Sequence, residues 1–553
     1  MRDRRIPGLL GMGMLGLLLL AASMLGPWPT HGAPPLAYLT PTPTAGGLVK
    51  IAYQSREQVS AWVGQGLDVW EVHPDHVVAW VTRAQADQLR TQGLALEAVP
   101  QDQIGPQGYA PYPSCYRTYE EMADFLQATA ANHPSITTLM DAGDSWEKAQ
   151  GLVQRDLWAM RITSHMTPGP KPKLFVVAEH HARELVTPEI AMKFIAYLTR
   201  NYGADPEVTW LVDYREIWVL PMANPDGHAQ AENYQNWRKN TDYVNGCPMG
   251  DAPYFYGVDL NRNYGYQWGG EGASPNPCHP MYQGPAPFSE PETQAIRDLV
   301  TAQGFDLLIS LHSYADMILY PWGYTESPAP HEADLHAMAA KFASYNGYAP
   351  IQSARMYITS GDTTDWAYGE QGIPAFTFEI GSSADGYFWP PCHKVEELWL
   401  ENLGPLLYAA KIAEAPYRQV HGPDALDLAL SQGSVITLEA IISDAYTGGQ
   451  TIAAAQYLID ALGPEGTGQV MDAVDGTFDG PMERVRATLD LAGLKPGRHR
   501  VYVMGQDSAG YWGPPSAMFL ELTPTPAPTS TPTEEQKLYL PLGLKSIWHL
   551  TSR

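Results

Sequence analysis

The chain has 553 residues, which is too long for a single domain and makes two to four domains the expectation. Its hydrophobic content of 44% is sufficient to bury large cores. The formal net charge of −26 argues against a protein that binds nucleic acid or anionic lipid, because such binding requires clusters of Lys and Arg and none is visible.

The N-terminus has the pattern of an export signal. Three arginines precede an apolar run, residues 9–22, that is too short to span a bilayer comfortably. We predict a signal peptide over residues 1–33, with cleavage either after Ser23 or near Ala33. An uncleaved membrane anchor is the alternative. We therefore predict a secreted, extracellular protein that has no membrane span once the signal is removed.

Residues 34–47 are rich in Pro, Thr and Gly and indicate a spacer. Residues 48–112 form a small cysteine-free module whose pattern predicts the order β-α-β-β-α-β, typical of a ferredoxin-like α+β unit. Its helices begin at a capping box, Ser55 to Gln58, and at Thr82. The module carries no cluster of catalytic side chains, so we interpret it as a pro-segment, with a permanently attached accessory module as the alternative.

Residues 113–416 alternate strand and helix candidates, which predicts one α/β domain with a mixed sheet. The strand candidates are 157–162, 174–178, 217–220, 307–311 and 375–380, and the helix candidates are 290–303, 331–346 and 396–414.

Short alternating segments separated by Gly, Asp and Pro follow, and they predict a β-sandwich over residues 417–522 with a binding or spacing role. Residues 523–536 are a Pro/Thr linker, and residues 537–553 are a short apolar tail. The tail is either a surface-retention signal or a ragged terminus. The strand candidates are 434–442, 453–460, 484–491 and 499–505, followed by a turn at 507–510.

Four cysteines in an exported chain indicate two disulfides. Of the three pairings, we favour Cys247–Cys278 with Cys115–Cys392, because Cys247 and Cys278 flank one loop-rich segment. The alternative interpretation is a metal site formed by cysteines. The absence of any Cys-x-x-Cys spacing in the sequence argues against this interpretation.

Chemistry-bearing residues follow two apolar strands. The stretch 173–184 ends in His180, His181 and Glu184, and the next helix is predicted to begin at an N-cap, Thr187. A second strand ends in His312. Two imidazoles and one carboxylate that leave an open position are the arrangement of catalytic zinc.

A hydrolytic zinc site also requires a base and a group that stabilises negative charge. Glu379 ends an apolar strand, where a carboxylate is costly unless it is functional or paired, so we predict that it is the base. Arg238 and Arg262 are the candidates for charge stabilisation.

These residues resemble the zinc metallocarboxypeptidases of the carboxypeptidase A type. The matching segments occur in the family's order and span nearly the whole predicted α/β domain: HARE (181–184), NPDG (224–227), NWRKN (236–240), GVDLNRN (257–263), SLHSYADMILYPWGY (310–324), MYITSGDTTDW (356–366) and FTFEIG (376–381).

The resemblance implies that one catalytic Zn²⁺ is held by His181, Glu184 and His312. It implies that Glu379 is the general base that activates the zinc-bound water and passes its proton to the leaving amine. Arg238 matches the residue that, with zinc, stabilises the oxyanion. His180 has no metal role in the family pattern.

The resemblance also implies that Asn261, Arg262 and Tyr357 bind the free C-terminal carboxylate of the substrate, which would explain exopeptidase action. Asp259 matches a carboxylate that orients the first zinc histidine. Arg183 matches a substrate-contacting arginine.

Specificity is expected to depend on the segment 357–366. Thr364 occupies the pocket-base position, where members differ, and Asp362 adds a carboxylate nearby. This combination is similar to the bacterial carboxypeptidase T subgroup and implies broad specificity for hydrophobic and basic C-terminal residues. The N-terminal module then corresponds to the family's propeptide, with residues 105–114 as the nicking site.

We therefore predict a zinc-dependent carboxypeptidase whose partners are peptides or proteins with a free C-terminal carboxylate, with surface association through the C-terminal region as a further option. Two alternatives are carried: a zinc amidase that trims cell-wall peptides, and a surface adhesion protein with an inert peptidase domain.

Overall fold

The computed structural model describes residues 46–99, 113–233, 236–247, 256–431, 433 and 435–523. These residues belong to one compact unit, Ala45–Arg553. The predicted signal peptide, nearly all of the spacer, most of the predicted nicking site, and the predicted linker (apart from residue 523) and tail lie outside the described residues. Among the described residues, no helix combines the length and the apolar character needed to cross a membrane.

The N-terminal module forms a four-stranded sheet in the order β2-β3-β1-β4, in which all neighbours are antiparallel, as the ferredoxin-like prediction requires. Ser55 caps the first helix by accepting from Gln58 N, and Thr82 with Gln85 forms a capping box on the second. The elements are β1 (Gly47–Ala52), α1 (Arg56–Gly64), β2 (Asp68–Val72), β3 (His76–Val81), α2 (Arg83–Thr91) and β4 (Leu96–Ala98).

Next in the chain comes an eight-stranded mixed sheet in the order β11-β10-β12-β9-β7-β8-β6-β5. Its strands are β5 (Thr137–Asp144), β6 (Asp156–Ile162), β7 (Lys173–Ala178), β8 (Glu216–Leu220), β9 (Leu307–His312), β10 (Met317–Tyr320), β11 (Ala349–Gln352) and β12 (Ala375–Glu379). Its helices are α3 (Tyr119–Asn132), α4 (Trp146–Ala149), α5 (Val186–Asn201), α6 (Pro206–Tyr214), α7 (Pro225–Ala231), α8 (Pro291–Gln303), α9 (Glu332–Asn346), α10 (Thr363–Gly369), α11 (Cys392–Ile412) and α12 (Pro416–Gln419).

Both faces of this sheet are covered, which explains the continuous apolar strands in the sequence. In β7, Leu174 and Val176 belong to one core cluster, whereas Phe175 and Val177 belong to another, because successive side chains point to opposite faces. The five predicted strands are all present. The sequence did not predict β5 and β11, which are partly exposed and lack an uninterrupted apolar pattern, or β10, which is apolar but only four residues long.

The C-terminal region folds into seven antiparallel strands in the order β13-β14-β17-β16-β15-β18-β19. One core cluster includes Ala425 and Leu520, which lie on the two end strands of this order, so the sheet folds over a single core in a sandwich that is nearly closed into a barrel. The sequence missed β13, β16 and β19. The strands are β13 (Asp424–Leu430), β14 (Thr437–Ser443), β15 (Ile452–Ile459), β16 (Gln469–Ala473), β17 (Met482–Thr488), β18 (Gly497–Asp507) and β19 (Ser516–Leu522).

The predicted fold class, an α/β carboxypeptidase-type domain between a ferredoxin-like module and a β-sandwich, is therefore confirmed. The favoured disulfides are confirmed as well, since Cys115 is bonded to Cys392 and Cys247 to Cys278. Helix α11 begins at Cys392 rather than at the expected residue 396, directly after Pro391 at its N-cap.

Candidate active site

Parallel strands bring the predicted site residues to one edge of the large sheet. Strand β9 lies between β7 and β12 and is parallel to both. The register places Glu379 of β12 opposite His312 of β9, and Ala178 of β7 opposite Leu311. Because parallel strands end at the same edge, His181 and Glu184, which follow β7, are brought beside His312.

Three side chains form the metal-type cluster: His181, Glu184 and His312 are buried, and their ligand atoms lie within 4.8 Å of one another. The Glu184 carboxylate lies 2.7 Å from His181 Nδ1 and 3.1 Å from His312 Nδ1. The two Nδ1 atoms are 3.2 Å apart. His180 is excluded from the cluster, since its Nε2 contacts the Tyr264 hydroxyl at 2.7 Å.

The turn after β7 differs from the sequence expectation. Helix α5 begins at Val186 without a side-chain cap, so the predicted N-cap role of Thr187 is wrong. Thr187 instead donates its hydroxyl hydrogen bond to Glu184 O at 2.9 Å. This bond ties the start of the helix to the backbone of a cluster residue. Glu189, in the first turn of α5, forms an ion pair with Arg117.

Asp259 connects the cluster to Arg238. Its Oδ1 lies 3.2 Å from His181 Nε2, and its Oδ2 accepts hydrogen bonds from Arg238 Nε at 3.1 Å and Nη2 at 2.9 Å. Burial raises the pKa of Asp259, but the charges of Arg238 and His181 outweigh burial and hold it well below its ordinary value. Asp259 is therefore ionised, and Nη1 of Arg238 is not used by this pair.

Glu379 stands apart from these pairs. It makes no side-chain hydrogen bond or ion pair with any described residue, and it lies at the end of β12. Desolvation, reinforced by the negative charge of Glu184, raises its pKa from 4.5 to about 8, although Arg238 and Arg262 lower it. A carboxylate without a fixed partner and with a raised pKa has the properties of a general base.

The predicted carboxylate-binding residues lie next to the cluster. Asn261 Nδ2 is 3.5 Å from His312 Nε2, and Asn261 Oδ1 accepts from Thr363 N and Oγ1 at 2.9 Å each. Arg262 is 1% exposed and donates to Gly272 O and Asn261 O at 2.8 and 2.7 Å. Tyr357 packs against the core of the N-terminal module.

The predicted specificity residues are structurally engaged. Asp362 caps α10: its Oδ1 accepts from Asp365 N at 2.9 Å and from the Thr364 hydroxyl at 2.8 Å. Its Oδ2 accepts from the Thr359 hydroxyl at 3.0 Å. A Cβ built at Gly323 would lie 2.3 Å from Thr359 Oγ1 and 3.1 Å from this oxygen, so the glycine allows its backbone to approach the bonded Thr359 and Asp362 side chains closely.

The sequence missed one set of contacts with the predicted site. Arg183 forms two hydrogen bonds with Asp68 of the N-terminal module, at 2.6 and 2.8 Å. The Arg183 guanidinium also lies 4.2 Å from the centre of the Phe388 ring, and Trp70 packs edge-on against Phe388 at 4.8 Å. No local sequence pattern signals these contacts, because they join residues more than 100 positions apart.

The donor set of the cluster fits zinc. Two imidazole nitrogens and a carboxylate converge from three directions, which is the composition of a catalytic site that keeps a position for water or substrate. Asp259 bonds the other nitrogen of His181, as carboxylates commonly do for metal-binding histidines.

Residues 122–404 match the family model described as zinc carboxypeptidase, which covers half of the chain. The chain belongs to the zinc carboxypeptidase family. It is therefore a peptide hydrolase that uses a catalytic zinc ion, and the predicted family, enzyme class and cofactor are confirmed.

Individual relatives agree with this assignment. The chain is 33% identical over 303 residues to carboxypeptidase A1 of Rattus norvegicus, covering 52% of this chain and 68% of that one. It is 28% identical over 395 residues to a zinc carboxypeptidase of Saccharothrix mutabilis subsp. capreolus, covering 65% and 87%. The crystal structure of carboxypeptidase A from Helicoverpa armigera superposes with a TM-score of 0.56 at 22% identity, covering 67% and 97%, and supports the fold.

Proposed function

We propose that this zinc carboxypeptidase is secreted, removes single C-terminal residues from peptides and accepts both hydrophobic and basic residues. The observation that carries the exopeptidase proposal is the position of Asn261, whose side chain approaches His312 and is also bonded to Thr363 of the specificity segment. A terminal carboxylate bound by Asn261, Arg262 and Tyr357 would place the last peptide bond beside the cluster. The two disulfides support export.

His181, Glu184 and His312 would hold the zinc ion, which would supply Lewis-acid chemistry by polarising the scissile carbonyl and making water more acidic. Glu379 removes a proton from the attacking water and later returns it to the nitrogen of the leaving residue. Nη1 of Arg238 donates to the carbonyl oxygen as negative charge develops there.

Broad specificity rests on Asp362 and Thr364. The Asp362 carboxylate, which accepts a hydrogen bond from the Thr364 hydroxyl at 2.8 Å, attracts a Lys or Arg side chain, whereas the uncharged threonine at the pocket-base position also accepts an apolar side chain. The likeness to the carboxypeptidase T subgroup belongs to this proposal. So does surface association through the C-terminal region, of which the linker (apart from residue 523) and the tail lie outside the described residues.

The N-terminal module acts as an inhibitory pro-segment in this proposal. It supplies Asp68 to Arg183 and packs Trp70 against Phe388, and its core includes contacts with Tyr357. Arg183 and Tyr357 are two of the residues assigned to substrate. A module that occupies them competes with the peptide until the connection through residues 100–112 is cut.

The test of exopeptidase action compares a blocked dipeptide with its C-terminal amide, using the processed enzyme. We expect the free acid to be hydrolysed at least about a hundredfold faster, because only it forms the paired hydrogen bonds with Arg262. The Arg262→Lys variant keeps the charge but loses the forked geometry, so it should narrow this ratio. Equal rates on acid and amide in the parent would contradict the proposal.

A panel of substrates that differ only in the last residue tests specificity. We expect Asp362→Asn to lose activity on C-terminal Lys and Arg while activity on Leu and Phe is retained. A uniform loss on all substrates would assign Asp362 to structure alone.

A further inference from the structure

Two aspartates are buried at one end of the C-terminal sandwich, outside the zinc site. Asp444 directly follows β14 and is 0% exposed, and Asp507 ends β18 and is 1% exposed. Asp507 pairs with Ile452, the first residue of β15, and Ser508 N donates to Thr451 O at 2.7 Å. The loop that starts at Asp444 therefore ends beside Asp507.

Neither carboxylate has a cationic partner in the described part of the chain. Asp444 accepts from the Thr447 hydroxyl at 2.7 Å and from Gln450 N at 2.5 Å. Asp507 Oδ1 accepts from Tyr511 N at 2.7 Å, whereas Oδ2 is buried and has no hydrogen-bond partner. Burial, together with the nearby charge of Asp507, raises the pKa of Asp444. Two buried like charges without a counter-ion are destabilising.

A third oxygen without a partner lies in the same loop. Gln450 Oε1 is buried and accepts no hydrogen bond among the described residues. A Cβ built at Gly448 would lie 2.0 Å from this oxygen, so the glycine leaves the space in which the amide sits. The loop and the end of β18 thus bring together carboxylate and amide oxygens, and two of these oxygens, Asp507 Oδ2 and Gln450 Oε1, have no donor among the described residues.

We propose that Asp444, Asp507 and Gln450 form a calcium site that fastens the loop of residues 444–451 to the end of β18. Ca²⁺ prefers carboxylate and amide oxygens and accepts irregular geometry, with water completing its six to eight ligands. Zinc would instead favour His or Cys, and neither residue type occurs in this loop.

Calcium at this position would also stabilise the contact between the sandwich and the α/β region. Tyr446, within the loop, lies 5.6 Å from Lys341 Nζ of α9, and Lys341 is paired with Asp424 of β13. Ordering the loop would hold Tyr446 over this ion pair.

Terbium luminescence on the full-length, zinc-loaded chain tests for the site, because Tb³⁺ replaces Ca²⁺ and is sensitised by nearby tyrosines such as Tyr511. We expect a saturable signal that CaCl₂ displaces, and an affinity at least about tenfold weaker in Asp507→Asn, which removes one ligand charge. Asp472→Asn, an exposed residue of the same sandwich, is the matched control. Equal binding by the parent and Asp507→Asn would overturn the proposal.

Thermal unfolding separates calcium from the alternative, a proton shared by the two carboxylates. With calcium, the parent should gain melting temperature and Asp507→Asn should not. In calcium-free buffer, the melting temperature of Asp507→Asn should equal or exceed that of the parent, because the variant lacks the repulsion between the Asp444 and Asp507 carboxylates. A parent that responds to pH but not to calcium would overturn the proposal. If Asp507→Asn does not fold, Gln450→Met replaces it in the same measurement. Because this substitution removes no charge, we expect it to reduce the calcium-dependent gain in melting temperature by less.

Discussion

Asp259 and Arg238 form a buried ion pair in which one carboxylate oxygen accepts two hydrogen bonds, at 3.1 and 2.9 Å. The other oxygen lies 3.2 Å from His181 Nε2. The Asp259 side chain thus sets the position of His181, a proposed zinc ligand, relative to Arg238, the arginine proposed to stabilise the oxyanion. These contacts join side chains of the protein alone, so they do not depend on bound substrate.

We predict that Asp259→Asn weakens zinc binding about ten- to hundredfold, the usual effect of losing a partner of a metal-binding histidine. The variant should also lower kcat at saturating zinc, because Arg238 loses its charged anchor. Zinc affinity is measured by competition with a chromogenic chelator. Asp298→Asn, on the exposed side of α8, is the control, and an unchanged zinc affinity in Asp259→Asn would contradict the role of this carboxylate.

Replacing Glu379 by Gln should reduce kcat about 10²- to 10⁴-fold, the range for loss of a general base. Folding and zinc content should be unchanged, because Glu379 makes no hydrogen bond or ion pair within the described residues. Steady-state kinetics and metal analysis on the same sample check both points. If the Glu379→Gln variant were as active as the parent, Glu379 would not be the general base.

The pH dependence of kcat/KM should have an acidic limb set by Glu379. Burial and the charge of Glu184 raise its pKa from 4.5 to about 8, and a zinc ion beside it would lower that value. Since the base acts only when ionised, activity is expected to fall as the pH drops through a value between these two. A pH profile with a half-maximal point below 4.5 would show that another group controls this limb.

Asp68→Asn should raise the residual activity of the unprocessed chain. It exchanges a charged two-bond contact with Arg183 for a neutral one, a loss of about 2 kcal/mol in the closed state. That corresponds to roughly thirtyfold more open enzyme. Asp75→Asn is the control, because its side chain is 85% exposed in the same module. Equal residual activity of the Asp68→Asn and Asp75→Asn variants would show that Asp68 does not contribute to inhibition.

Lys341→Met should destabilise the chain by about 3 kcal/mol. Lys341 is nearly buried, pairs with Asp424 and lies over the rings of Tyr345 and Tyr408. Removing its ammonium group therefore leaves the Asp424 carboxylate without this partner and with little exposure to solvent. Chemical denaturation measures the change.

The control for Lys341 is Lys394→Met. Lys394 pairs with Glu397 on the exposed surface of α11, and such pairs contribute less than about 1 kcal/mol. Equal effects of the two substitutions would mean that the contact between sandwich and α/β region does not depend on the Lys341 pair.

The cluster residues could be predicted because each follows a recognisable strand. His312 and Glu379 end apolar runs, and such runs predict buried parallel strands whose ends meet. The strands β5, β10 and β11 could not be predicted in the same way, since β5 and β11 are partly exposed edge strands and β10 has only four residues. The expected cap at Thr187 failed because its hydroxyl bonds Glu184 O, a partner that only the turn geometry provides.

By itself, the sequence indicated the family and the metal-type residues His181, Glu184 and His312, because these depend on residue types at positions tied to strong local patterns, and it favoured the disulfide pairing that the structure contains. Only the tertiary structure decided that Asp68 is bonded to Arg183, that Asp259 joins His181 to Arg238 and that the loop beginning at Asp444 ends beside Asp507. Each of these contacts joins segments far apart in the chain. Their energy comes from burial and charge, and the folded arrangement alone determines both.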